Sequence, residues 1–98
     1  MQAVWRGTII AESTQTILVE GNHYFPPADV RWQYLHPSSN NTQTTCPWKG
    51  LADYFDVLSD QGSSQDVAWT YKHPKSEAEH IKDHVAFWKD VTVKSEHE

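Results

Sequence analysis

Twelve aromatic side chains spread along 98 residues (five Trp, four Tyr and three Phe) decide what this chain can fold into. A chain of this length is a single domain, because either half alone would lack a workable core. Folding buries roughly 60–65% of its extended surface. With one cysteine it has no intrachain disulfide to staple its loops. Its core must therefore come from large residues, and each aromatic ring buries about 150–250 Å². That area compensates for a hydrophobic content of only 38%.

The rings fall in short β-prone runs separated by turn residues, which predicts a mainly β fold. Val4–Arg6 and Thr8–Glu12 flank Gly7, and Thr16–Glu20 follows, as in a meander. Gly21-Asn22 predicts a tight reversal, since both residues tolerate positive φ. Phe25-Pro26-Pro27 is held extended, and Pro27 can open one helical turn through Val30. Arg31–Leu35 alternates, with Trp32 and Tyr34 on one side, as a half-buried strand does. His36–Thr45 is polar, carries Pro37 and two asparagines, and predicts a surface loop. Cys46 begins the next unit, Pro47-Trp48-Lys49-Gly50 turns it, and Leu51–Leu58 reads as a strand. A turn over Ser59–Ser64 leads into a strand at Val67–Tyr71 that puts Trp69 and Tyr71 on one face. After Pro74, Ser76 and Glu79 form a capping-box pattern predicting one short surface helix, with Ala78 and Ile81 as its narrow apolar stripe. Val85–Trp88 and Val91–Val93 are expected to close the chain as a hairpin turning at Lys89-Asp90. The domain spans residues 1–94, and 95–98 form a disordered polar tail.

Thirteen acids against eight bases give a formal charge of −5. Binding nucleic acid by counterion release requires a basic face, which this composition lacks, and anionic lipid is disfavoured for the same reason. No apolar run approaches the roughly 20 residues of a membrane span. Met1–Glu12 lacks the basic, apolar and small-residue succession of a signal peptide. A lone thiol cannot build a multi-thiolate zinc site. The expectation is a cytoplasmic monomer or homodimer with no cofactor and no metal.

Several segments occur together in a distinctive order: Gly21-Asn22-His23-Tyr24-Phe25-Pro26-Pro27, Asp29-Val30, Cys46-Pro47-Trp48-Lys49-Gly50, Ala68-Trp69-Thr70-Tyr71 and Val85-Ala86-Phe87-Trp88. On these residues the chain resembles a small bacterial family catalogued as a domain of unknown function and sometimes labelled a nucleotidyltransferase domain. The resemblance covers nearly the whole chain. It implies a β-tent-like pair of antiparallel sheets with one short helix. Many β-tents hold zinc on four cysteines; with one cysteine here, the structural zinc is expected to be absent and aromatic packing to replace it.

The nucleotidyltransferase label can be weighed against the residues. Two-metal nucleotidyl transfer needs carboxylates gathered on adjacent strands, commonly at i and i+2 after a Gly-Ser turn. Gly62-Ser63 is followed by Asp66, but Ala68 stands where the second acid would be, and Asp53 and Asp56 are out of phase for one strand face. Cys46 and Lys49 form a sharper pair. A nearby ammonium favours thiolate, which would let Cys46 act as a nucleophile, and Lys49 itself can react covalently. The plainer reading makes Cys46 a small buried hydrophobe. Sulfoxide reduction would need a second cysteine to resolve the oxidised sulfur.

Lys49 can instead anchor an anionic or carbonyl group of a ligand. Tyr24, Trp48, Trp69 and Tyr71 would then wall a pocket, with His23 orienting the bound molecule. The principal expectation is thus a module binding a small planar or anionic metabolite through Tyr24, His23, Trp48, Lys49, Trp69 and Tyr71. The alternatives are an enzyme using Cys46 or Lys49 covalently, and an interaction module pairing through a sheet edge such as Val91–Val93. His80 and His84, with Glu77 one turn earlier, would share a face of a regular helix and could grip a metal there. Asp29 and Arg31 read as a local ion pair.

Overall fold

The computed structural model describes residues 1–95, so all but Ser95 of the expected tail lies outside the described residues. The chain is mainly β, and every pairing between strands is antiparallel. Strands β1 (Gln2–Trp5) and β2 (Thr8–Glu12) form a hairpin whose two turn residues, Arg6 and Gly7, both take positive φ. A second hairpin joins β3 (Ile17–Val19) to β4 (Asn22–Tyr24). Its turn lies one residue earlier than expected. Val19 pairs with Asn22, so Glu20 (φ 52°) and Gly21 (φ 83°) make the reversal and Asn22 belongs to the strand.

Five strands build the largest sheet: β5 (Leu35–Pro37), β6 (Gln43–Cys46), β7 (Gly50–Ser59), β8 (Gly62–Thr70) and β9 (Val85–Phe87). The long β7 pairs β8 along one edge, while β5 and β6 share its other edge end to end. The last strand, β10 (Val91–Lys94), joins the first hairpin in the order β10-β1-β2. Reciprocal backbone bonds of 2.8 and 2.9 Å between Phe25 and Val85 hang the β3–β4 hairpin on β9. The mainly β expectation holds, with three antiparallel sheets, the smallest attached to the largest.

Several local readings change once tertiary partners are present. Arg31–Leu35 is not a strand. Trp32–Tyr34 is a 3-10 turn, because the Arg31 N–H bonds to Ile10 O and the Trp32 indole donates to Pro27 O, and the strand starts only at Leu35. The expected loop at His36–Thr45 shrinks as β5 and β6 take its ends. Ser63 and Ser64 lie within β8, so that turn is only Asp60-Gln61. The expected helix, Ser76–Ile81, is a kinked 3-10 segment with Lys75 at its start and no side-chain cap. Its buried residues, Ala78 and Ile81, are three apart, which suits a period of about three residues per turn as well as it suits an α-helix. The terminal segments do not pair with each other either: β9 stays in the large sheet and β10 crosses to the small one.

The large sheet is apolar on both faces. One face packs Phe55, Val57, Val85 and Phe87 against Trp5, Ile10 and Val91 of the three-stranded sheet. The other carries Ala52, Trp69, Tyr71 and Ala86, covered by Tyr24 of the hairpin and by Ala78 and Ile81 of the 3-10 segment. Strand alternation sorts them: Ala68 joins the first core and Trp69 the second. The candidate site lies on this second face.

Candidate functional site

The site begins with the turn between β6 and β7. Cys46 pairs with Gly50, and the three residues between them, Pro47, Trp48 and Lys49, make the reversal. Gly50 takes φ 111°, a conformation that favours glycine. The neighbouring segment clamps this turn: Lys75 N–H donates to Lys49 O at 2.9 Å, and Lys75 Nζ donates to Pro47 O at 2.7 Å. Lys49 is thus held on a fixed backbone, and only 7% of its surface is exposed.

Its ammonium is paired with Glu20, at the tip of the β3–β4 hairpin. The Trp48 indole N–H reaches the other Glu20 oxygen at 3.4 Å. The Lys49 charge also lies 5.2 Å from the Trp48 ring centre and 5.7 Å from that of Tyr71, within the reach of cation–π attraction. Burial works to lower the Lys49 pKa. The Glu20 hydrogen bond and the neighbouring Tyr24, Tyr71 and Cys46 outweigh it, and the ammonium is held above its ordinary value. The same hydrogen bond from Lys49 holds the Glu20 carboxyl below the usual range.

Aromatic walls rise around this charge. Tyr24 is fully buried, and its hydroxyl accepts the Trp69 indole N–H at 3.1 Å. The two rings meet edge to face, with centres 6.2 Å apart. Tyr71 lies 6.5 Å from Tyr24, and Tyr54 and Trp88 extend the wall at 6.2 and 5.7 Å from Trp69. Between them is a hollow of about 280 Å³, open to solvent and lined by Tyr24, Lys49, Tyr54, Trp69, Tyr71 and Trp88, together with Asn22. Burial pushes the Tyr71 phenol up to about 12 against the opposing charge of Lys49. It raises that of Tyr24 too, against the pull of the Trp69 N–H. At neutral pH the hollow therefore presents the neutral phenols of Tyr24 and Tyr71 and the ammonium of Lys49.

Of the residues singled out from sequence, Tyr24, Lys49, Trp69 and Tyr71 converge on this hollow. Trp48 flanks Lys49, and the half-buried Cys46 packs against the same cluster. His23 is not brought there. It alternates with Tyr24 on β4, shares a 2.9 Å hydrogen bond with Thr16 Oγ1, and borders a separate cleft with Phe87 and Val93. Sequence reasoning passed over Glu20, Tyr54 and Trp88. Tyr54 stands directly across from Trp69 in the β7–β8 register, a pairing that no local sequence pattern fixes. For Glu20 no signal existed either: it is 29 residues from Lys49, and only the folded chain joins them.

Other constellations dissolve. His80 and His84 share no helical face, since the 3-10 segment ends at Ile81. Among the described residues no group of three or more His, Cys, Asp or Glu is placed to hold a metal. The Asp29–Arg31 pair does not form: Asp29 accepts from Ser13 Oγ and Arg31 donates to Ile9 O. The acids relevant to nucleotidyl transfer are each engaged in hydrogen bonds to neighbouring segments instead. Asp53 accepts from Gln43, Asp56 from the backbones of Ser39 and Asp66, and Asp66 from Thr42.

Fold and site together define a small, mainly β protein with an aromatic-walled hollow and, among the described residues, one buried lysine. The chain belongs to the family described as Domain of unknown function (DUF427), which it matches over residues 1–98 and whose name carries a nucleotidyltransferase-like label. No curated protein matches it. No helix among the described residues is long and apolar enough to cross a membrane.

Proposed function

We propose that this chain is a binding module for a small planar or anionic metabolite, with the rings of Tyr24, Trp69 and Tyr71 as walls and Lys49 as polar anchor. One observation carries the reading: a buried, charged lysine borders a hollow whose remaining lining is mostly aromatic. A charge-assisted hydrogen bond from a lysine already stripped of most of its water is stronger than the same bond from a freely hydrated surface lysine. The partner is a small molecule rather than nucleic acid, in keeping with the charge of −5. The module acts as a monomer or homodimer in a reducing, cytoplasmic setting, which suits its lone free thiol.

Covalent use of Lys49 is disfavoured, because an amine held protonated by Glu20 has no free lone pair at neutral pH. Pairing through a sheet edge keeps one supporting feature, since β10 lies at an edge of its sheet.

The test is a thermal-melt screen with nucleotides, nucleosides and small carboxylates at millimolar concentration. A ligand at about ten times its Kd adds about 1.4 kcal/mol, enough to raise Tm by about 5–10 °C in a domain this small. Lys49→Met should abolish the rise. A screen in which nothing shifts Tm, or in which Lys49→Met responds as the wild type does, defeats the reading.

A further inference from the structure

Resting on the binding role just argued, we propose that the hollow takes a single-ring carboxylate, and that Glu20 is the built-in competitor such a ligand displaces from Lys49.

Size sets the first limit. At about 280 Å³ the hollow falls just below the range of about 300–1,000 Å³ typical of ligand pockets. That is room for one ring and its substituent, while the rest of a nucleotide would stand out in solvent. Charge sets the second. Lys49 is the cation of the hollow, and both arginines are engaged elsewhere, Arg6 with Gln61 O and Arg31 with Ile9 O. One ammonium compensates one negative charge, so a monoanion fits and a phosphate dianion would be left in excess.

The group already on Lys49 shows which monoanion this corner accepts. Both oxygens of the Glu20 carboxylate are engaged, one by the ammonium and one by the Trp48 N–H. The two partners are unequal. The side chain of Lys49 is 8% exposed and that of Glu20 is 52% exposed. On leaving, Glu20 swings into water and is solvated. Lys49 cannot follow, and a buried ammonium without an anion is costly. Exchange of one carboxylate for another is therefore the available route, with Lys49 charged throughout. Glu20 also sits in a tight two-residue turn at φ 52°, a backbone conformation that Asn or Gly adopts more readily than Glu. Inside the hollow the Tyr71 hydroxyl, neutral and without a hydrogen-bond partner among the described residues, is the second donor for the incoming carboxylate.

Benzoate and benzamide, the same ring with and without the charge, test this by calorimetric titration into wild type, Glu20→Asn, Glu20→Gln and Lys49→Met at neutral pH. Asn tolerates the positive φ and is too short to reach Lys49, while Gln keeps the length without the charge. Benzoate is expected to bind both Glu20 variants about ten-fold tighter than wild type, the size of one charge-assisted hydrogen bond. Benzamide should bind wild type and the Glu20 variants alike, and Lys49→Met should lose the preference for benzoate. If benzamide binds while benzoate gains nothing in either Glu20 variant, the competition is refuted and the hollow remains a ring pocket. If neither probe binds any folded variant, the single-ring assignment is refuted, and the wider screen then decides the hollow's role separately. Should Lys49→Met fail to fold, the Glu20 comparison is decisive alone.

Discussion

Lys49 has given up most of its hydration, and Glu20, Trp48 and Tyr71 together replace what water would supply. Its position could be read from the chain, because a lysine beside a glycine turn and between aromatic segments has few places to go. Its counter-ion could not, because ion pairing across a long separation leaves no local pattern. The phenol of Tyr71 allows a pH prediction at this scale. Its pKa in the folded protein is about 12 against 10.0 for the free side chain, so the unfolded chain loses that proton first. Stability from this group is fully present below pH 10, declines as pH rises, and is gone once pH passes about 12. Tyr24 and Lys49, both raised, act in the same direction. Urea midpoints measured between neutral pH and the alkaline range should fall for wild type and fall less steeply for Tyr71→Phe. Parallel curves for the two proteins would contradict the assignment.

Among the elements, β8 ties the molecule together. The indole N–H of Trp5, fully buried on β1, donates to Ser64 Oγ of β8 at 2.9 Å, and Ser64 in turn donates to Asp90 Oδ2 at 2.7 Å. This chain of bonds joins the two larger sheets to the turn before β10. Ser64→Ala leaves the buried indole unpaired and should cost about 1–3 kcal/mol by urea denaturation. A loss under about 0.5 kcal/mol would mean that water satisfies the indole. Farther along β8, the pairing with β7 shifts between Phe55 and Val57. There Asp66 takes φ 55° and its N–H is held by the Asp56 carboxylate. At that bulge Asp56 serves the backbone of its neighbour strand. Elements were legible where local chemistry decides them: the Gly7 hairpin and the Pro27 turn needed no distant partner. Arg31–Leu35 and Ser76–Ile81 were not, because five alternating residues, or two apolar residues three apart, fit more than one backbone. Bonds from Arg31 to Ile10 and from Lys75 to the 46–50 turn made the choice.

At the scale of the whole molecule, all the aromatic rings but Trp32 supply the two cores and the hollow, and among the described residues an acidic chain keeps one lysine buried. The mainly β class was legible from alternation and punctuation alone. How the rings divide between two faces of one sheet was not, since that depends on which strands pair: β10 finds β1 at the far end of the chain. The five indoles then report separately, because Trp69 and Trp88 line the hollow and Trp48 is bonded to Glu20, while Trp5 is sealed in the other core and Trp32 is bonded to Pro27 O. The most direct measurement is a two-dimensional NMR titration of isotope-labelled protein with benzoate, following the indole N–H signals. The Trp69 and Trp88 signals should move in a saturable way while Trp5 and Trp32 stay, and the movement should vanish in Lys49→Met. Signals that move at Trp5 or Trp32 instead, or that move equally in Lys49→Met, would contradict it.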